Sequence, residues 1–305
     1  MTARLLEGRP VADRIRAHSL ERAAAVTRHA GRRPRLAIVL FDPDGAAGVY
    51  ARSLSRAATA GGVEPQLVTP PAERTAVAAA LSALNRDPAV AGIVVAQPLP
   101  PGLEPGPVLG MIDPGKDVDG ATTVNAGRLA RNEAALAPAT ALGVLALLRA
   151  YSIPLAGRRA VVVGRSSVVG RPVAQLLLAA NATVTICHSR TADIATETRR
   201  AQVLVVAAGH PELVGPGMVA PGAVVVDCGI TSVDGTVRGD VAEGVREVAA
   251  AVSPVPGGVG PLTAAMLISQ TLDVAERLAG LPVRRIPDEV LGGPAGNAAA
   301  EPGPA

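Results

Sequence analysis

The stretch Gly164-Arg-Ser-Ser-Val-Val-Gly170-Arg-Pro172 follows an apolar run, Arg159-Ala-Val-Val-Val163, and precedes a segment with helical apolar spacing. Strand, glycine turn and helix in that order bring a helix N-terminus, with its unpaired N–H groups and positive dipole end, to where a phosphate binds. The loop departs from G-x-G-x-x-G because Ser166 stands where a second glycine would let the backbone approach a pyrophosphate. Two turn glycines in any α/β protein would read the same way, so the next strand carries the distinction. That strand, Ala182–Cys187, ends in His188-Ser189-Arg190 rather than in the Asp or Glu that holds the ribose hydroxyls of NAD. A hydroxyl and a cation there, with Arg165 in the loop, suit the 2′-phosphate of NADP. His188 reads as a packed or solvated strand-end residue. His18, His29 and His210 are scattered, with no metal-ligand spacing, and no metal is expected.

Lysine chemistry has one candidate. Lys116 is the only lysine among the 29 Lys and Arg residues, which face 26 Asp and Glu for a net charge of +3. It reads as a surface or turn residue that Arg could replace with little loss. The cations are dispersed along the chain, which argues against a nucleic-acid partner. Phe41, Tyr50 and Tyr151 are the only aromatics and there is no Trp, so the core must be built from Ala, Val, Leu and Ile. Stacking on bases has few candidates. Cys187 and Cys228 each close a separate apolar run and read as free thiols of a reducing compartment. No apolar stretch approaches the roughly 18 residues of a membrane span, and Glu7 and Asp13 lie among the early arginines, so a cytoplasmic protein is expected.

Parallel strands alternating with helices are what would position such groups. Val11–Arg28 has the spacing of an amphipathic helix ended by Gly31-Arg-Arg-Pro34. Leu36–Phe41, Gln66–Val68 and Gly92–Ala96 read as strands, with helices at Gly48–Ala60 and Ala72–Asn85 between them. After a helix at Ala141–Tyr151, a second series follows: Arg159–Val163, a helix near Val169–Ala180, then Ala182–Cys187, Val203–Ala207 and Gly222–Asp227. The fold class is therefore α/β with doubly covered parallel sheets, the second half reading as a dinucleotide-binding domain. A last helix, Pro261–Leu278, follows the turn Pro256-Gly-Gly-Val-Gly260.

The segments Gly115-Lys-Asp-Val-Asp-Gly120, Asn125-Ala-Gly-Arg-Leu129, Ala160-Val-Val-Val-Gly-Arg-Ser166, Val224-Val-Val-Asp-Cys-Gly-Ile230 and Ser253-Pro-Val-Pro-Gly-Gly-Val-Gly-Pro261 resemble the bifunctional methylenetetrahydrofolate dehydrogenase/methenyltetrahydrofolate cyclohydrolase family, over roughly residues 4–280. The resemblance implies two α/β domains with a cleft between them, the last helix returning to the first domain, and homodimers paired through the nucleotide domains. The expected division is 1–140 plus 262–282 for a folate domain, 141–261 for a Rossmann-like NADP domain, and 283–305 for a disordered tail. The family uses NADP to oxidise methylenetetrahydrofolate, a small-molecule substrate, and then hydrolyses the methenyl product. By motif position, cofactor contacts fall on Gly164, Arg165, Ser166, Ser189, Arg190 and Ile230. Folate contacts fall on Tyr50, Leu54, Val95, Ala96, Gln97, Asp119 and the turn Pro256, Gly257, Gly258, Val259 and Gly260, with Tyr50 and Asp119 as catalytic candidates.

Two positions depart from the family pattern. The family places a lysine four residues after the tyrosine, about one helical turn and therefore on the same face, supported by a glutamine from the turn that follows the Gly92–Ala96 strand. Here those positions are Leu54 and Ala96. Arg52 and Arg56 each lie about 160° round the helix from Leu54 and do not replace the lysine. Nearby, Pro138-Ala-Thr-Ala141 replaces a more polar family motif. The expectation is a dehydrogenase with weak or absent cyclohydrolase activity. A paralogue oxidising a non-folate amine or hydrazine-like compound, and a non-catalytic NADP-binding member, are the other readings.

Overall fold

The computed structural model describes residues 2–233 and 235–292. The chain opens with β1 (Arg4–Leu5) and α1 (Gly8–Ala30), then alternates β2 (Arg35–Val39), α2 (Ala46–Ala60), β3 (Glu64–Val68), α3 (Arg74–Arg86) and β4 (Val90–Val95). Short helices α4 (Pro105–Leu109) and α5 (Thr123–Ala130) precede α6 (Ala139–Ala150). A second alternation runs β5 (Arg159–Val163), α7 (Gly170–Ala179), β6 (Thr183–Cys187), α8 (Ile194–Thr198), β7 (Val203–Val206) and β8 (Val224–Asp227). The hairpin of β9 (Thr231–Val233) and β10 (Thr236–Arg238) follows, then β11 (Ala251–Val252), α9 (Gly260–Leu278) and α10 (Asp288–Leu291).

Two compact units result, each an α/β layer structure. One comprises residues 15–139 and 264–286. Its sheet is parallel, in the order β3-β2-β4, and β4 is buried along its whole length. Helix α2 buries Ala47, Ala51, Leu54 and Ala58, the recurring three- and four-residue spacing of a helix with one apolar face. Arg22 on α1 is wholly buried and meets Glu276 on α9 through two bonds, Nε to Oε1 at 3.1 Å and Nη2 to Oε2 at 2.8 Å. Gln270 of α9 holds the segment that leads to the candidate site. Its Nε2 donates to the carbonyls of Val118 and Ala137 at 2.7 and 2.8 Å, and its Oε1 accepts from Ala137 N at 2.9 Å.

Lys116 departs from the surface role its sequence context implied. Its Nζ is buried and donates to the carbonyls of Leu84, Asn85 and Asp87 at 3.1, 2.7 and 2.7 Å, so all three ammonium donors close the C-terminal end of α3. Burial lowers its pKa, opposed by the charges of Asp113 and Asp87. Replacement by Met is expected to lower the unfolding free energy by about 3 kcal/mol, because three helix-end carbonyls lose a charged donor. Arg is expected to destabilise as well, since its planar fork does not converge on three acceptors round one nitrogen. Denaturant titration of both variants checks this.

The other unit comprises residues up to 14, 140–263 and the described residues from 287. Its main sheet has six parallel strands in the order β1-β11-β8-β7-β5-β6, beside the antiparallel β9–β10 hairpin. Val161, Val163, Leu204, Val206, Val225 and Val252 form a core cluster on one face of this sheet, and β7 is buried along its whole length, as expected of a central strand covered on both faces. Residues 2–14, assigned by sequence to the folate domain, lie with this unit instead. Arg4 pairs with Ala251 and Leu5 with Val252, and strands of two residues are too short to leave a periodic signal. The tail reading also changes. Residues Asp288–Leu291 are helical, Leu291 is buried, and Arg14 Nε and Nη2 donate to the carbonyls of Val290 and Leu291 at 2.9 and 2.5 Å. The remainder of that tail, 293–305, lies outside the described residues. Among the described residues no helix is long and apolar enough to cross a membrane.

Candidate active site

In the six-stranded unit the C-terminal ends of β5, β6 and β8 carry Gly164–Ser166, Ser189–Arg190 and Ile230 respectively. This edge is where ligands bind in open parallel sheets. Gly164 has φ +121°, and a Cβ there would collide with the carbonyl of Ala207 at the end of β7. Only glycine meets both conditions, and it brings bare backbone to the turn. Ser166 takes the place of the second fingerprint glycine for a visible reason. Its Oγ accepts from Val169 N and Gly170 N at 3.2 and 3.3 Å, closing the turn that leads into α7. Arg165, Ser189 and Arg190 are exposed, and Ile230 is 68% exposed. His188 is structural: its N–H donates to Thr191 Oγ1 at 2.9 Å and its Nδ1 accepts from Arg190 N at 3.2 Å, which shapes the turn presenting Ser189 and Arg190. A backbone cradle that a Cβ would fill, with a hydroxyl and two guanidinium groups at adjacent strand ends, fits a dinucleotide carrying a 2′-phosphate. Gly164→Ala is expected to weaken NADP binding at least about tenfold, which calorimetric titration would measure.

In the other unit, Tyr50 and Leu54 sit one turn apart on α2. Leu54 is 2% exposed, whereas Tyr50 is 38% exposed. Val95 ends β4, and Ala96 extends that strand by donating its N–H to Val39 O at 2.8 Å. Ala96 is 1% exposed while Gln97 is exposed, so the adjacent glutamine does not take over the buried position. Gln97–Pro98 is cis.

Two aspartates divide the work of the Lys116-Asp-Val-Asp-Gly120 segment. Asp117 is fully buried and accepts from Ala121 N, Thr122 N and Asn125 Nδ2 at 2.9, 2.8 and 2.9 Å, fixing the approach to α5. Asp119 accepts a backbone N–H from Ala139 alone among the causes that favour its ionised form. Its pKa is pushed up to about 7 by burial and by the Asp117 charge, against an N–H bond from Ala139. Burial and the Asp119 charge together raise the Tyr50 phenol above its ordinary range. No basic residue is a cause of either shift. The Tyr50 phenol thus lies in the field of the Asp119 carboxyl with Leu54 one turn along α2, an arrangement that can accept N–H donors but offers no ammonium.

The remaining positions assigned to folate, Pro256–Gly260, belong to the six-stranded unit. There Gly8 N donates to Gly257 O and Gly258 N to Pro254 O, both at 2.8 Å, and the Val255–Pro256 bond is cis. Val259 is buried and Pro256 exposed. Sequence reasoning missed Asp117, whose signal was Thr122 and Asn125 just downstream, a helix cap and the amide that completes it. It also missed the buried Asp227 and Asp240. Cys187 is buried and Cys228 half-buried, and both are free.

Two family models match: the tetrahydrofolate dehydrogenase/cyclohydrolase catalytic domain over residues 6–119, and the NAD(P)-binding domain of the same family over residues 138–279. The chain is 47% identical over 282 residues to bifunctional protein FolD 2 of Frankia alni, covering 92% of this chain and 98% of that one. The FolD methylenetetrahydrofolate dehydrogenase/cyclohydrolase structure of Campylobacter jejuni superposes with a TM-score of 0.87 at 37% identity, over 90% of this chain and 98% of that one. The Trypanosoma brucei dehydrogenase-cyclohydrolase, solved with NADP and an inhibitor, gives 0.86 at 38% identity, over 91% and 98%.

Proposed function

The chain belongs to the tetrahydrofolate dehydrogenase/cyclohydrolase family, and from that premise we propose that it oxidises 5,10-methylenetetrahydrofolate but hydrolyses the methenyl product weakly or not at all. It is an NADP-dependent oxidoreductase. NADP supplies the hydride acceptor when bound. Asp119 accepts hydrogen bonds from the amino and ring-nitrogen donors of the pterin, and Tyr50 lies beside it. Oxidation is driven by the lone pair of the folate nitrogen, so these residues need to bind and orient rather than to transfer a proton.

Hydrolysis makes a different demand. Water must lose a proton and a tetrahedral intermediate must collapse, and a desolvated lysine assists both, its neutral amine taking the proton and the resulting ammonium stabilising or protonating the intermediate. The observation that carries the reading is Leu54, buried on the Tyr50 face of α2, together with Ala96. Tyr50, with its raised pKa, is a poor base at neutral pH. Removing general acid–base assistance costs about 10²-fold or more. The same apolar substitution is what favours a non-folate amine substrate, whereas Asp119 favours a pterin. We also assign a cytoplasmic homodimer, on the family's pattern.

Purified protein given methylenetetrahydrofolate and NADP is expected to form reduced cofactor while the methenyl compound accumulates. Formyl product appearing as fast as cofactor is reduced would overturn the hydrolase half. Nucleotide binding with no absorbance change on adding folate would favour the other readings.

A further inference from the structure

We propose that Asp227 and Asp240 form a carboxylate clamp that positions the NADP-binding loop following β8, the loop following β7 and, through Ala207, the glycine turn following β5. Both side chains are buried, Asp227 at the end of β8 and Asp240 two residues beyond β10. Asp240 Oδ2 accepts from Ala208 N and Gly209 N at 2.6 and 2.8 Å, holding the loop at the end of β7. Asp227 Oδ1 accepts from Gly229 N and Asp240 N at 2.8 and 3.0 Å, and its Oδ2 accepts from Val241 N at 3.0 Å. Ser253 Oγ accepts from Asp227 N at 2.8 Å, anchoring the pair from the next strand.

These bonds reach the cofactor positions directly. Ile230 follows the amide held by Asp227. Ala207 precedes the two amides held by Asp240, donates to Val163 O at 2.7 Å, and fills with its carbonyl the space that a Cβ on Gly164 would need. The arrangement is costly, because two carboxylates are buried side by side: Asp227 is pushed up to about 6, mainly by burial, and Asp240 Oδ1 has no hydrogen-bond partner. Apolar residues of similar volume would avoid that cost but would leave the loop amides unpaired. The clamp acts through the loops, so both aspartates are positioning residues.

The inference rests on the NADP assignment, and its test includes an arm that needs no cofactor. Asp240→Ala is expected to weaken NADP binding at least about tenfold by calorimetry, for two hydrogen bonds to a charged acceptor. It should leave the KM for folate unchanged and speed amide hydrogen exchange at 207–209 and 228–230 in the free protein. Asp240→Asn, whose amide oxygen can take both N–H groups, should stay within about threefold of the parent. Gly239→Ala keeps both carboxylates but drives a methyl into Asp227 Oδ2, so it too should weaken NADP binding, whether or not Asp240→Ala folds. Unchanged exchange at those amides in a folded Asp240→Ala, an Asn variant as weak as the Ala variant, or parental NADP affinity in Gly239→Ala would each overturn the clamp.

Discussion

Installing lysine at 54 and glutamine at 96 together is expected to raise formyl product formation by about 10²-fold or more, with the dehydrogenase rate changed far less. The ammonium would replace a leucine that is 2% exposed, one turn from Tyr50 and on the same helix face. Burial there lowers its pKa towards the range useful for proton transfer, while the Asp119 charge opposes that shift. Leu54→Lys alone should restore less and should lower the melting temperature, because a buried ammonium needs acceptors that Ala96 lacks. Ala96→Gln supplies one through its side-chain carbonyl, so the two substitutions are expected to be non-additive. Methenyl and formyl products resolved in single-turnover experiments would show the change. A double variant that folds, still oxidises methylenetetrahydrofolate and still accumulates methenyl product would mean that these positions do not limit hydrolysis.

Folate affinity is expected to fall steeply below neutrality because of Asp119. Its carboxyl titrates at about 7 in the folded protein, and only the ionised form is a full acceptor for the pterin donors. Affinity should therefore fall about tenfold for each pH unit below 7 and level off above it. Asp119→Asn should abolish that slope and leave binding at the weak, low-pH limit. The stability effect has the opposite sense. A folded pKa raised above the unfolded value near 4 means that the folded state holds the proton more tightly. Its contribution to stability is complete below about pH 4 and is lost as pH rises through about 7. The Asn variant should accordingly melt higher than the parent above pH 7 while binding folate worse. An Asn variant that is less stable than the parent at pH 8, or a flat parental binding profile between pH 5 and 8, would exclude this role.

The alternation of valine-rich runs with helical segments was legible because buried parallel strands and amphipathic helices leave long local patterns. The glycine turn at 164 was legible because backbone geometry restricts which residues can occupy it, whereas Asp119 was singled out only through the family resemblance of its segment. What could not be read was set by contacts distant in sequence. Lys116 caps α3 through carbonyls some thirty positions upstream, and nothing beside it announces a helix end. Asp227 and Asp240 meet only after a hairpin brings the chain back. Ser166 looked like a defect in a glycine fingerprint, yet its hydroxyl closes the turn that leads into α7.

The pairing of Arg4–Leu5 with Ala251–Val252, and the supply of residues 264–286 to the unit that begins at Ile15, also bear on synthesis. Neither unit can close until almost the whole chain has left the ribosome. At about 5–20 residues per second, the first strand waits on the order of tens of seconds for its partner. During that time Val-rich segments such as Val161–Val163 and Val203–Val206 are translated before β11, the strand through which β1 joins their sheet. The interleaving that unites distant segments in the finished enzyme makes completion of both units a step that follows the translation of their last segments rather than one that accompanies it.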